Sequence, residues 1–204
     1  MAVKKKDKGQ LIVLSGPSGV GKSTVIAELM SRRDNLYFSV SFTTRQPRTG
    51  EQNGVNYNFV DRNEFERMIA ADELLEYAEY VNNYYGTSMK AIQDRLDAGI
   101  DVLLDIEVQG AAKVKARCPE ALFIFIIPPS FEELSRRLHN RNTDSEDVIT
   151  GRLEKARVEF REIPNYDYLV INDKVTNAVH EIESILTAAE CRVKNRDHIL
   201  SQFT

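Results

Sequence analysis

The residues best suited to chemistry lie near the start of the chain, in the segment GPSGVGKS at positions 16–23. This segment matches the pattern G-x-x-x-x-G-K-[ST], whose glycines allow successive backbone N–H groups to turn inward around an anion. Lys22 would reach the terminal phosphates, and the hydroxyl of Ser23 would ligate Mg²⁺. The segment predicts a loop that binds a nucleoside triphosphate through Gly16, Pro17, Ser18, Gly19, Val20, Gly21, Lys22, Ser23 and Thr24.

The segments on either side of this loop are those that its chemistry requires. Residues 10–15 (QLIVLS) form a continuously apolar run, which is typical of a strand covered on both faces. Residues 22–33 carry apolar side chains at positions 25, 26, 29 and 30, the spacing of one helix face. A strand, a glycine turn and a helix in this order predict the opening unit of an α/β fold, with the phosphates at the helix N-terminus.

Later segments continue this alternation. Buried strands are predicted at 101–106, 121–127 and 166–172, and helices at 108–116, 130–139, 145–162 and 175–195. The expected fold class is therefore α/β, with a central parallel sheet flanked by helices on both faces.

The strand at 101–106 ends in two carboxylates, Asp105 and Glu107. In a phosphate-loop protein, this is where a magnesium-bound water would lie, so Asp105 is predicted to contact Mg²⁺ through water. On a continuing strand, the two side chains would point to the same face.

Residues 37–90 interrupt the pattern. The segments 37–44 (YFSVSFTT) and 54–60 (GVNYNFV) indicate short strands with polar alternation, and residues 61–81 indicate a helix that leads into another short strand. We therefore expect a small mixed lobe inserted into the α/β core.

The inserted lobe carries candidates for a second phosphate site. Arg45 and Arg48 flank Pro47, which favours extended chain, and Tyr57 follows. Two guanidinium groups and a phenol hydroxyl suit a dianionic phosphate, because each guanidinium can bind it bidentately. The alternative is a solvated loop with scattered charges.

A second cationic set occupies residues 135–157. Arg137 and Arg141 are four residues apart, and Arg152 follows in the next predicted helix. Phosphoryl transfer requires cations over the γ-phosphate and exclusion of water, which an arginine-bearing lid would provide. The exposed face of an amphipathic helix would also carry such charges, so this alternative stays open.

Three separated motifs together resemble the guanylate kinase family over about residues 9–195: GPSGVGKST, SVSFTTRQPRTGEQNGVNYNFV, and the stretch from ELLEYAEYVNNYYGTS to DIEVQGA. The resemblance implies a single domain, 1–204, with a P-loop kinase core at 9–36, 91–134 and 158–195. It also implies a GMP-binding insert at 37–90, a helical lid at 135–157 and an N-terminal tail at 1–8.

The resemblance further implies ATP-dependent phosphorylation of GMP to GDP, with Mg²⁺ as cofactor. The catalytic residues would be Lys22, Arg45, Arg141 and Arg152. Outside the loop, ATP would contact Arg137, Arg141 and Asn172. GMP would contact Ser41, Arg45, Arg48, Tyr57, Glu76, Tyr85, Thr87, Asp105, Glu107 and Arg152, although position 107 is often Asp in the family.

Three other functions fit parts of the sequence. A protein-binding guanylate-kinase-like module would typically have lost the phosphate loop, which is intact here. A kinase for AMP or a pyrimidine nucleotide conflicts with Glu76 and Ser41. A GTPase is disfavoured because the chain has no N-K-x-D sequence.

Composition excludes further classes. The 204 residues carry 27 basic and 31 acidic side chains, a net charge of -4, which argues against nucleic acid as a partner. The two cysteines are too few for a disulfide scaffold and lack metal-ligand spacing. The longest apolar run, 121–127, is far shorter than the ~20 residues of a membrane span. We expect a cytoplasmic protein with ATP and GMP as small-molecule partners, whose oligomeric state the sequence leaves open.

Overall fold

The computed structural model of the chain describes residues 8–80, 82–140, 145–196 and 203. Within these ranges, the strands are β1 (Leu11–Ser15), β2 (Leu36–Phe38), β3 (Phe42–Thr43), β4 (Asn58–Phe59), β5 (Leu74–Tyr80), β6 (Asn83–Ser88), β7 (Asp101–Asp105), β8 (Leu122–Ile127) and β9 (Tyr168–Ile171). The helices are α1 (Lys22–Arg32), α2 (Arg62–Ala70), α3 (Met89–Asp97), α4 (Val108–Arg117), α5 (Phe131–His139), α6 (Glu146–Glu159) and α7 (Val175–Glu190), with 3₁₀ turns at Phe160–Asn165 and Val193–Asn195.

The core of the molecule is a parallel sheet with the strand order β2-β7-β1-β8-β9. It contains all four strands that the apolar runs predict, so the expected α/β class with a central parallel sheet is confirmed. β1 lies in the middle and pairs with β7 on one side and β8 on the other. The residues that follow β1 therefore emerge at the centre of the sheet edge.

Alternating side chains explain why these strands are apolar throughout. Ile12 and Leu14 of β1 pack on one face with α1 and α7, whereas Leu11 and Val13 pack on the other with α3 and α4. These four side chains are almost completely buried. Because helices cover both faces, the central strands have no solvent side on which to carry polar residues.

The inserted region forms a second, mixed sheet with the order β4-β3-β6-β5. β3 is parallel to β4 and antiparallel to β6, and β5 is antiparallel to β6. The helix predicted in residues 61–81 is present but short, because α2 ends at Ala70 and Asp72 has a positive φ of 52°. Residues 74–80 instead form β5, where pairing with β6 overrides the helical propensity of its Leu, Glu and Ala residues.

The first strand of the 37–90 region belongs to the core. β2 pairs with β7 in the central sheet through Leu36, Tyr37 and Phe38. The predicted insert boundary at residue 37 therefore lies inside a core strand, and the run 37–44 divides between two sheets. The helix α3, which the periodicity did not single out, begins at Met89 and is capped by Ser88, whose side chain accepts a hydrogen bond from the backbone N–H of Ala91.

Helices α5 and α6 pack against each other through Leu134, Leu138, Ile149 and Ala156. They correspond to the predicted helices at 130–139 and 145–162, although the second ends at Glu159 and continues as a 3₁₀ turn. Arg141 in this region, and residues 1–7 of the predicted tail, lie outside the described residues.

None of the helices formed by the described residues has the length and apolar character needed to cross a membrane.

Two leucines of the central sheet provide a test of this packing. Leu103 on β7 is fully buried, whereas Leu169 on the edge strand β9 is 48% exposed. We expect Leu103→Ala to lower the free energy of unfolding by about 2–5 kcal/mol, because it leaves a cavity between packed layers. Leu169→Ala should cost less than about 1 kcal/mol. Urea unfolding of both variants measures the two losses in the free energy of unfolding. Equal losses would contradict the difference in burial between the two leucines.

Candidate nucleotide-binding site

A cavity of about 260 Å³ lies at the carboxyl end of β1, over the glycine-rich loop. Opposite the loop, its wall includes side chains from the N-terminus of α4 and from α6. The loop residues in its lining are Gly16, Pro17, Ser18, Gly19, Gly21, Lys22, Ser23 and Thr24, and the other lining residues are Glu107, Arg152, Lys155 and Glu159. The structure thus brings the predicted loop and one predicted lid arginine to the same cavity.

The ammonium group of Lys22 is fixed from two sides. Its Nζ atom lies 2.8 Å from Oδ1 of Asp105, at the end of the neighbouring strand β7. It also donates a hydrogen bond of 3.2 Å to the carbonyl oxygen of Gly16. Parallel pairing of β1 with β7 places Leu14 beside Asp105, so the loop that follows β1 begins next to this carboxylate.

The loop is held from behind through the carbonyl oxygen of Val20. This oxygen accepts hydrogen bonds from Nδ2 of Asn172 at 2.7 Å and from a guanidinium nitrogen of Arg137 at 3.1 Å. Gly21 has a φ of 92°, and a Cβ at that position would lie 2.7 Å from Asn172 Nδ2, so only glycine fits there. Arg137 and Asn172 stabilise the loop from behind, and neither is among the residues described as lining its cavity. Their contact with ATP stays a prediction.

Arg152, which is predicted as a lid arginine, contacts the loop directly. A guanidinium nitrogen of Arg152 on α6 donates a hydrogen bond of 3.4 Å to the hydroxyl of Ser18. Because α5 and α6 share a small apolar core, the position of this arginine depends on how that helix pair lies over the loop.

The two carboxylates after β7 point to different partners. The strand ends at Asp105, and Glu107 becomes the N-cap residue of α4 with extended backbone angles of −73° and 163°. The expectation that both would face the same way on a continuing strand is therefore wrong. Asp105 contacts Lys22, whereas both carboxylate oxygens of Glu107 lie 2.9 Å from Nζ of Lys155 on α6.

In the inserted lobe, Arg45 is held by a carboxylate and by aromatic rings. One of its guanidinium nitrogens lies 2.8 and 3.0 Å from the two carboxylate oxygens of Glu51. The guanidinium carbon lies 5.4 Å from the ring centroid of Tyr57 and 5.9 Å from that of Phe59. The hydrogen bond from Arg45 lowers the pKa of Glu51, which therefore stays ionised.

The other predicted clamp residues surround this pair. Tyr85 on β6 packs edge-on against Tyr57 with ring centroids 5.9 Å apart, and burial raises the pKa of Tyr57, so that its phenol stays protonated near neutral pH. Arg48 donates its backbone N–H to Oε2 of Glu51, while its side chain is exposed. Ser41 is half-buried just before β3, and its carbonyl oxygen accepts from the N–H of Asn58.

A buried carboxylate lies deeper in the same lobe. Glu76 on β5 is 7% exposed, and the hydroxyl of Thr87 on β6 donates a 2.6 Å hydrogen bond to its Oε1. Burial raises the pKa of Glu76, and the hydrogen bond from Thr87 partly opposes this shift. The other oxygen, Oε2, lies 3.0 Å from where a Cβ on Gly110 of α4 would be. The absence of a side chain at Gly110 gives the carboxylate the room that it occupies.

The oxygen donors at the loop suit Mg²⁺. Ser23 is exposed at the start of α1 and lines the cavity, and the carboxylate of Asp105 lies beside Lys22. Mg²⁺ typically binds one or two protein oxygens and completes its octahedron with phosphates and water. No cluster of three or more His, Cys, Asp or Glu side chains suited to a metal occurs in the described part of the chain.

Sequence reasoning missed three acidic or basic residues of these sites: Glu51, Lys155 and Glu159. Glu51 had a usable signal, since it is a lone carboxylate in the same turn-rich loop as two arginines. The other two lie on α6, and their sequence pattern is that of any charged helix. Their position in the cavity depends on tertiary packing.

Comparison with known proteins agrees with this geometry. The family model described as guanylate kinase matches residues 8–189. Guanylate kinase from Desulfitobacterium hafniense is 50% identical over 194 residues, which cover 95% of this chain and 97% of that protein. Guanylate kinase from Latilactobacillus sakei is 53% identical over 92% of this chain and 93% of its own length.

A solved structure gives the same result for the fold. The crystal structure of guanylate kinase from Anaplasma phagocytophilum has a TM-score of 0.77 and 36% identity, with 97% of both chains covered. A phosphate loop on a parallel sheet, a mixed inserted lobe and these relatives lead to one conclusion: the chain belongs to the guanylate kinase family.

Proposed function

We propose that this enzyme transfers the γ-phosphoryl group of ATP to the phosphate of GMP, giving ADP and GDP. The observation that carries the proposal is the buried carboxylate of Glu76, in a lobe that also holds an arginine and two tyrosines. A buried, ionisable carboxylate is costly for folding, so its place in a binding lobe is best explained by a ligand that pairs with it.

Guanine is the base that fits this carboxylate. Its N1–H and exocyclic amine are adjacent donors, and a carboxylate can accept hydrogen bonds from both. Thr87 already satisfies one oxygen of Glu76 and so fixes its orientation. The hydroxyl of Ser41 would donate to O6. Adenine has an acceptor at N1 and would leave Glu76 unpaired, which can give large discrimination.

The second phosphate would bind at Arg45, Arg48, Tyr57 and Tyr85. The contact with Glu51 orients the guanidinium of Arg45 before any ligand binds. This preorganisation lowers the entropic cost of binding a phosphate dianion. The exposed side chain of Arg48 would close over the same group.

Phosphoryl transfer would then depend on positioning and on stabilisation of charge. Lys22 would contact the terminal phosphates of ATP, and Arg152 would approach them from the lid, with Arg141 predicted beside it. The phosphate oxygens of GMP are already ionised near pH 7, so the reaction requires no dedicated general base. Bound through Ser23 and, through water, Asp105, Mg²⁺ would neutralise charge on the phosphates of ATP.

The first prediction concerns the acceptor. In a coupled assay for ADP with ATP and Mg²⁺, GMP should be phosphorylated with a kcat/KM at least about a thousandfold above that of AMP, because adenine leaves the buried carboxylate unpaired. Pyrimidine monophosphates and a reaction without acceptor serve as controls. Comparable rates with AMP would overturn the guanine assignment.

The second prediction concerns Glu76→Gln. Because burial raises the pKa of Glu76, the ionised carboxylate is less favourable in the folded protein than in the unfolded chain. Below the ordinary pKa of 4.5, Glu76 is protonated in both the folded and the unfolded state, and its burial does not lower stability. As the pH rises through the raised pKa of the folded protein, Glu76 ionises and the free energy of unfolding falls. Glu76→Gln should therefore be at least as stable as the parent at pH 7, with the advantage disappearing near pH 4.

The same variant should bind GMP poorly. We expect its KM for GMP to rise at least about tenfold while the KM for ATP changes less than about threefold, since only the guanine contact is altered. Glu79→Gln, on the same strand but exposed, is the matched control and should change neither KM. An unchanged KM for GMP in Glu76→Gln would mean that the base is recognised elsewhere.

The third prediction concerns Lys22→Met, which keeps the length of the side chain but removes its charge. We expect kcat to fall by at least about a hundredfold, because a cation aimed at the transferring phosphate is lost. Lys90→Met, on the exposed side of α3, is the control and should retain full activity. Circular dichroism and thermal unfolding would verify that both variants fold, and near-normal turnover in a folded Lys22→Met would contradict the role of the loop.

A further inference from the structure

A lysine that the sequence motifs did not single out lines the phosphate cavity. Lys155 lies on α6, three residues after Arg152 and therefore on the same side of the helix. Its Nζ atom lies 2.9 Å from both carboxylate oxygens of Glu107 and 3.8 Å from Oε1 of Glu159. The ammonium group is thus directed across the cavity wall, between α6 and the N-terminus of α4.

The cavity contains an unusual balance of charge for a phosphate site. Two carboxylates, Glu107 and Glu159, belong to the same lining as the phosphate loop. Glu159 is 6% exposed, and the neighbouring Lys155 opposes the rise in its pKa that burial causes. A nucleotide phosphate entering here meets two acidic groups, and Lys155 is the cation positioned between them.

The contact between Lys155 and Glu107 is suited to exchange. The two side chains are 45% and 61% exposed, and ion pairs with this exposure contribute little to stability. A phosphate group with two negative charges attracts an ammonium more strongly than a single carboxylate does. Short rotations of the flexible lysine side chain are sufficient to change partner.

We propose that Lys155 is a further phosphate-binding residue, which exchanges Glu107 for the phosphate oxygens of the bound donor nucleotide. The inference rests on the proposed function and adds a cation to the loop lysine and the lid arginines. In the unliganded enzyme, Glu107 holds the ammonium at the cavity. When the donor is bound, Lys155 contacts its phosphates and contributes to the affinity for ATP.

The first test is Lys155→Met, which retains the apolar stem of the side chain. We expect kcat/KM for ATP to fall about tenfold, the size of a lost hydrogen bond to a charged group, with the melting temperature unchanged. Lys155→Arg should keep most of the activity, and Lys90→Met should keep all of it. A folded Lys155→Met with unchanged kcat/KM for ATP would overturn the proposal.

A second test separates direct contact from neutralisation of Glu107. The probe is the β,γ-imido analogue of ATP with Mg²⁺, titrated calorimetrically in the absence of GMP. If Lys155 contacts the phosphates, the double variant Lys155→Met/Glu107→Gln should still bind the analogue several-fold more weakly than Glu107→Gln alone. Equal affinities of these two variants would show that Lys155 only neutralises Glu107 and would overturn the direct contact.

This design keeps the two proposals distinguishable. If the parent enzyme failed to phosphorylate GMP, the proposed function would fail. The analogue titration would still decide whether Lys155 binds donor phosphates, because it requires neither GMP nor turnover.

Discussion

The parallel pairing of β1 between β7 and β8 is the constraint on which the site depends. It places the phosphate loop, which follows β1, beside the carboxylate that ends β7. The ion pair between Lys22 and Asp105 depends on that arrangement, since it joins the first residue of α1, which follows the loop, to the last residue of β7. Asn172 follows β9 at the same edge and holds the loop through the carbonyl of Val20. A shift of one residue in this sheet would therefore disturb both the charge and the shape of the loop.

How far the sequence predicts this architecture depends on whether its signals are local. The glycine loop and the buried strands are local, because apolar runs between turn residues report burial on both faces. The segment 74–80 is the opposite case. Its residues favour a helix, and its strand conformation comes from pairing with β6. The prediction that Glu107 points to the same face as Asp105 failed for a related reason, because the backbone leaves the strand after Asp105 to begin α4.

The site residues follow the same division. The loop residues are predicted from their motif, Arg45, Arg48 and Tyr57 from the chemistry of their side chains, and the guanine contacts from resemblance to a family. Contacts between residues that are far apart in the sequence could not be predicted. Lys155 meets Glu107 across 48 positions of sequence, and Arg137 meets Val20 across 117. Such contacts depend on how α5 and α6 pack over the core, and no short-range pattern encodes that packing.

The contact between Arg45 and Glu51 has a consequence for ligand selection. Because the guanidinium of Arg45 is paired with the carboxylate of Glu51, this part of the lobe carries little net positive charge. A small anion must displace the carboxylate of Glu51, which is part of the same loop and therefore always remains near Arg45. Weakly held anions such as chloride or acetate gain little from that competition. A ligand that also contacts Tyr57 and Tyr85 and places a base in the lobe can displace Glu51 from Arg45. The contact between Arg45 and Glu51 would therefore favour ligands that make several contacts in the lobe over small single anions.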